Sequence, residues 1–234
     1  MTANVFVFFI SVVDVMFIGR LLGSESLGYY SIAFGIAGLL TAQVSGLLAQ
    51  VMFPAYSKMQ GDKNALKRAY LKTLVYVSII AIPATFGITI IAWEFVKVVY
   101  GDKWLPAVAA LQVLCFYGLN RALLGTTEQL YLAAGKPEVR TRLNLLQLIL
   151  MSILMYPLTM RYGILGTGIA AMLPSALIVF LTFREAGKIY ASASFSLFLR
   201  LGVSIVLGAS VYAAFLWITR KELFYEIREL IARG

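Results

Sequence analysis

Long apolar stretches alternate with short polar or glycine- and proline-bearing connections along this chain. A helix that crosses a bilayer needs about 20 mostly apolar residues. Seven segments meet that length: Ala3–Leu22, Leu27–Phe53, Thr73–Trp93, Pro106–Ala133, Leu143–Met160, Leu165–Arg184 and Leu197–Thr219. The third carries Pro83, and the fourth carries Arg121 and Glu128.

The connections bear turn chemistry. Gly23-Ser24-Glu25-Ser26 reads as a short polar turn, and Pro54 reads as the stop of the second helix. Gly101-Asp102-Lys103-Trp104 is a tight turn ahead of Pro106, a residue suited to a helix start because its missing N–H is not needed there. Gly135-Lys136-Pro137-Glu138 and Tyr162-Gly163 mark two more. Trp93, Tyr100 and Trp104 gather around one of these turns, as aromatic residues do at a membrane–water interface.

Composition turns this pattern into a membrane protein. Of 234 residues, 61% are apolar and 13% charged, against about 45–50% and about 25% in soluble domains. Mean hydropathy is +0.86. The polar residues needed to cover a water-facing surface are missing. With no histidine in the chain, His-ligated metals and His-dependent nucleophilic catalysis are excluded. No phosphate-cradling glycine loop, metal-ligand cluster or paired catalytic carboxylates stand out, so nothing reads as an enzyme or calls for a cofactor. The single cysteine, Cys115, lies in an apolar run.

The net charge of +9 sits mostly in the connections, which argues for topology rather than nucleic-acid binding. Basic residues in connections mark the cytoplasmic side. The connections after the second, fourth and sixth segments hold eleven: Lys58, Lys63, Lys67, Arg68, Lys72, Lys136, Arg140, Arg142, Arg184, Lys188 and Arg200. Those after the first, third and fifth hold four: Arg20, Lys97, Lys103 and Arg161. The even connections are expected in the cytoplasm, although the basic C-terminal tail would then break the rule. Asp62–Leu74 is amphipathic, with lysines and arginine opposite an apolar stripe. It suits either a helix lying on an anionic leaflet or an extension of the third helix into solvent.

Ionisable residues at membrane depth are costly and face a bundle interior or an aqueous cavity. Asp14 lies in mid-helix as a cavity or cation-coupling residue, or as a structural contact. Arg20 reads best as snorkelling to the headgroups. Arg121 and Glu128, seven residues apart, share a helix face, with Gln112, Asn120, Thr127 and Gln129 nearby. A guanidinium in a lumen suits phosphoryl oxygens, which its planar fork binds bidentately; the alternative is an ion pair between helices. Gln43, Gln50, Asn144 and Gln147 read either as lining the same cavity or, the better reading, as polar glue between helices. Pro83, Gly87 and Pro174 are hinge candidates, as is Pro157.

Several stretches together resemble one family. They are Asp14–Ala37 (DVMFIGRLLGSESLGYYSIAFGIA), Val51–Lys72 (VMFPAYSKMQGDKNALKRAYLK), Val99–Ala107, Leu132–Pro137 and Tyr162–Gly168. The set is similar to the second half of polysaccharide exporters of the O-antigen and exopolysaccharide type, within the multidrug/oligosaccharidyl-lipid/polysaccharide flippase superfamily. The resemblance implies an all-α membrane protein in which about seven helices form one lobe of a two-lobed flippase. Residues 1–190 would be the six-helix lobe and 191–234 an additional transmembrane helix with an amphipathic tail. It implies a bacterial inner-membrane protein that moves undecaprenyl-pyrophosphate-linked oligosaccharide by alternating access, with membrane lipids around it. The first lobe is expected to be supplied in cis or in trans, and the family's basic lumen falls on Arg121 and, by position, Arg20. A cation-coupled multidrug exporter of the same superfamily, or an inactive fragment or scaffold, stands as the alternative.

Overall fold

The computed structural model describes residues 2–59 and 61–189, and these are helical throughout apart from short turns. The order is α1 (Thr2–Leu21), α2 (Gly23–Lys58), α3 (Lys63–Val99), a 3-10 turn at Asp102–Trp104, α4 (Ala107–Ala133) and α5 (Pro137–Ile189). Among the described residues, α3, α4 and α5 are long and apolar enough to cross a membrane. The chain is a multi-pass membrane protein, all-α over the described residues. The seventh segment, Leu197–Thr219, and the whole of 191–234 lie outside the described residues.

Two of the expected helix boundaries move. Ser24, Glu25 and Ser26 form the first turn of α2 rather than a loop. Gly23, with φ of 82°, makes the reversal alone in a conformation that side-chain-bearing residues avoid, and only Leu22 is left between the helices. Pro54 does not stop α2, which continues to Lys58. Proline removes one N–H and crowds one carbonyl, a cost that helix packing offsets inside a bundle. Here the last turn is held by Tyr56, fully buried against α3 and α4. Pro83 and Gly87 likewise sit inside a continuous α3.

The amphipathic stretch Asp62–Leu74 is the start of α3, continuous with its apolar part. Asp62 caps it, its carboxylate accepting from the Asn64 and Ala65 amides at 2.8 and 3.0 Å. Those N–H groups, Ala65 first, hold the exposed Asp62 carboxyl below its ordinary range. Leu66, Tyr70 and Leu74 are buried in a cluster with Leu130 of α4 and Phe183 of α5. At 1.5 Å per residue α3 is about 55 Å long, well beyond a hydrocarbon core of about 30 Å. Its basic first turns overhang the apolar part.

α5 is one helical run broken once, at Gly163 (φ 60°, ψ −139°). Thr159 and Thr167 hydroxyls meet at 2.8 Å across it, whereas eight residues of straight helix would hold them about 12 Å apart. The chain therefore reverses, and residues 137–162 and 164–189 form two arms, matching the fifth and sixth apolar segments. A Cβ at Gly166 would run into the Leu158 carbonyl, so the arms close only over glycine. Pro157 and Pro174 lie within the arms without breaking them.

α4 is central, packing against α2, α3 and α5. It contributes to both apolar clusters: one with Ile18, Tyr30, Leu111, Leu114 and Met155, the other with Tyr56, Tyr70, Leu74 and Leu130. The second cluster gathers the end of α2, the start of α3 and the ends of α4 and α5. The basic connections around Lys58, Lys72, Lys136 and Arg184 thus share one end of the bundle. At the other end Lys97 lies 4.8 Å from the Trp93 ring and 3.7 Å from Asp102, and Trp104 meets Tyr29 edge-on at 5.6 Å.

Candidate functional site in the bundle interior

α1, α2 and α4 bring the first pair of charged candidates into one neighbourhood. Asp14 is 1% exposed. Its Oδ2 accepts from the Tyr30 hydroxyl of α2 at 2.8 Å, and its Oδ1 accepts from the Val15 amide at 2.8 Å. Tyr30 stacks on Phe34 at 6.0 Å, and Phe34 meets Tyr117 of α4 at 6.3 Å. Arg121 follows Tyr117 by one turn of the same helix.

The two differ in how they are satisfied. Asp14 is closed off by a hydroxyl and an amide. Arg121 is only half-buried, and among the described residues no carboxylate pairs with it. A permanently charged guanidinium with no carboxylate beside it keeps a planar fork of donors whose geometry matches phosphoryl oxygens.

Of the alternatives open for Arg121 and Glu128, an ion pair between helices forms at Glu128 and leaves Arg121 out. Glu128 shares the Arg121 face of α4, yet its Oε2 lies 3.0 Å from Arg140 Nη2 on the first arm of α5. Both partners are largely buried, at 19% and 15% side-chain exposure. Arg20 is exposed at the end of α1.

Other polar side chains of α4 hold the bundle together. Gln112 Nε2 donates to the Thr89 carbonyl at 3.0 Å, and Asn120 Nδ2 donates to Ser175 Oγ at 2.9 Å. Tyr131 donates to the Thr182 carbonyl at 2.8 Å, and Thr127 shares a 2.9 Å hydrogen bond with Tyr70. The side chains of Gln43 and Gln50 lie outside the described residues. Tyr30, Tyr117 and Arg140 belong to the arrangement without having stood out along the chain. Tyr30 is one of two adjacent tyrosines, and only helix pairing selects the one that turns inward.

Comparison with known proteins adds an independent line. A family profile described as polysaccharide biosynthesis protein matches residues 1–109. The chain is 34% identical over 166 residues to an uncharacterised membrane protein in the cps region of Klebsiella pneumoniae, covering 71% of this chain and 34% of that protein. It is 31% identical over 127 residues to the lipopolysaccharide biosynthesis protein WzxC of Escherichia coli, covering 54% and 26%. It is 28% identical over 127 residues to the teichuronic acid biosynthesis protein TuaB of Bacillus subtilis, again 54% and 26%. The matched part of the chain spans between a quarter and about a third of these relatives' lengths. No solved structure matches.

Proposed function

Because this chain belongs to the polysaccharide flippase family, we propose that it forms one lobe of an inner-membrane flippase for lipid-linked oligosaccharide. Seven membrane helices would make up the lobe: α1 to α4, the two arms of α5, and the apolar segment Leu197–Thr219. The even-numbered connections would face the cytoplasm, and a second lobe, in cis or in trans, would complete the cavity.

Arg121 carries the reading. It offers a fixed positive charge in the bundle interior, it stands beside Tyr117, and it has no carboxylate partner among the described residues. In this mechanism Arg121 binds the pyrophosphate of the carrier lipid. Transport breaks no bond. Substrate binding favours one of two arrangements of the lobes, and it does so by as much as it binds that arrangement more tightly. Pro83, Gly87 and Pro174, which interrupt helices in sequence without breaking them, would absorb the bending. Names of relatives that refer to lipopolysaccharide and teichuronic acid biosynthesis support a glycan cargo. The drug-exporter alternative needs Asp14 as an open cation site, and Asp14 is occupied by Tyr30 and Val15.

The test is Arg121→Ala in the complete exporter, in cells lacking the native one. Surface polysaccharide should fall to background while the variant still reaches the membrane in normal amount, and Arg121→Lys should restore part of it. Undiminished polysaccharide in the alanine variant would rule out the assigned role.

A further inference from the structure

The outward face of α3 changes character along its length. Arg68, Lys72, Tyr76 and Ile80 follow one another at four-residue intervals along one side of the helix, and all four are exposed. Ile79 is exposed beside them, while Leu66, Tyr70, Leu74 and Val77 on the other side are buried. Towards the far end the outward residues are Ile90, Ile91, Trp93 and Lys97. Along the axis Tyr76 and Trp93 stand about 25 Å apart, and Lys72 and Lys97 about 38 Å. A bilayer has about 30 Å of hydrocarbon and about 40–45 Å including its headgroups. An upright α3 therefore sets both aromatic rings at the hydrocarbon borders, where such amphipathic rings settle. It sets Arg68 and Lys72 at headgroup depth.

The two ends of this face differ in how their cations are satisfied. Lys97 has Asp102 at 3.7 Å and the Trp93 ring at 4.8 Å, and Lys103 lies over the Trp104 ring at 5.8 Å. Arg68 and Lys72 make no ion pair among the described residues. The acidic residue nearest to them in the chain, Asp62, spends its Oδ1 on the Asn64 and Ala65 amides. Lys58, Lys136 and Arg142 are exposed at the same end of the bundle, where Glu128 and Glu185 already lie beside Arg140 and Arg184. That end therefore carries a surplus of cations at the depth of lipid phosphates, and the other end does not.

We propose that the Arg68–Lys72–Tyr76 face of α3 binds one anionic phospholipid. Its phosphate sits between the Arg68 guanidinium and the Lys72 ammonium, one turn apart, as charge-assisted hydrogen bonds favour. Its acyl chain lies along the Tyr76 ring, Ile79 and Ile80. The unbroken passage from cation to aromatic ring to isoleucine selects a lipid over a free anion, which would use only the first two. A zwitterionic headgroup carries its own cation beside the phosphate and gains less from this pair. The bound lipid anchors the part of α3 that overhangs the hydrocarbon, and Leu66, Tyr70 and Leu74 behind it pack against α4 and α5.

Native mass spectrometry of the intact chain in detergent, titrated with phosphatidylglycerol or phosphatidylcholine, tests this without any transported substrate, so its outcome is independent of the transport reading. The wild type should bind phosphatidylglycerol more tightly than phosphatidylcholine, a comparison that needs no variant. Each cation near an anionic headgroup contributes about five-fold in affinity, so Arg68→Gln with Lys72→Gln should weaken phosphatidylglycerol about 25-fold. Phosphatidylcholine binding should stay where it was. Both positions are exposed, so the fold does not depend on them. Tyr76→Ala should weaken both lipids alike, and Lys97→Gln with Lys103→Gln, at the opposite end, should leave phosphatidylglycerol unaffected. Equal affinity of the wild type for the two lipids would overturn the proposal, as would a phosphatidylglycerol affinity unchanged by the Arg68 and Lys72 substitutions. An equal loss from the Lys97 and Lys103 substitutions would also overturn it, by showing attraction to charge anywhere on the chain. Displacement of the lipid by glycerol phosphate would do the same, by showing a site for a free anion.

Discussion

Asp14 and Arg121 are both ionisable residues set in apolar helices, joined through the Tyr30, Phe34 and Tyr117 rings, yet the bundle treats them in opposite ways. Asp14 is sealed, with each carboxyl oxygen holding a donor at 2.8 Å. Arg121 is left half-open, with no ion-pair partner among the described residues. The difference teaches that a charge at membrane depth is not by itself a functional site. What separates structure from function is whether the surrounding protein has already satisfied the charge. By that standard Asp14 joins α1 to α2, Glu128 and Arg140 join α4 to α5, and Arg121 is the residue with capacity to spare.

The contrast can be broken by experiment, and the largest stability effect belongs to Asp14. Asp14→Ala strands the buried Tyr30 hydroxyl and opens the α1–α2 contact. Thermal unfolding in detergent should show a loss of about 1–3 kcal/mol. Tyr30→Phe, which removes the donor and keeps the ring, should cost less. If Asp14→Ala leaves the melting temperature unchanged but stops transport, Asp14 rather than Arg121 is the open site.

Glu128→Gln should come next. It leaves Arg140 largely buried without its counter-charge, and a loss of about 1–2 kcal/mol is expected for a pair still partly reached by water. The double variant Glu128→Gln with Arg140→Gln should recover part of the loss, which a thermodynamic cycle measures.

The smallest effect lies outside the membrane. Backbone hydrogen bonds hold the Asp62 carboxyl below its ordinary value of 3.8. Because its folded value is depressed, its contribution to the α3 cap is complete above that ordinary value and is lost as pH falls through the folded one. Amide-exchange protection in the first turn of α3 should weaken only in strong acid, with α4 unaffected. Asp62→Asn should remove that dependence.

Much of this could be read from the chain alone, for physical reasons. Segment lengths and turn residues are local, so α4 begins at Ala107, one residue from the expected Pro106, and the reversal at Gly163 falls where Tyr162-Gly163 pointed. Asp14 and Arg121 were visible because an ionisable residue in an apolar run is conspicuous. Their partners were not. Tyr30 lies 16 residues from Asp14, and Arg140 lies beyond a turn from Glu128, so each pairing depends on how helices cross, which periodicity does not record. The prolines misled in one direction. Pro54 reads as a stop because proline ends isolated helices, whereas burial of Tyr56 carries α2 on to Lys58. Asn144 and Gln147 looked like glue, and only their surroundings show that no protein group meets their orphan atoms.

The most direct test of the central claim is binding of a short-chain prenyl pyrophosphate to the purified complete exporter, comparing Arg121→Ala with Asp14→Asn. Loss of charge-assisted hydrogen bonds worth about 1.5–3 kcal/mol predicts affinity about ten- to a hundred-fold weaker for Arg121→Ala. Asp14→Asn should bind within about two- to three-fold of wild type, because Asp14 already has its partners and a small change in packing alters affinity little. Equal affinity for wild type and Arg121→Ala would contradict the account, and a selective loss in Asp14→Asn would move the site from α4 to α1.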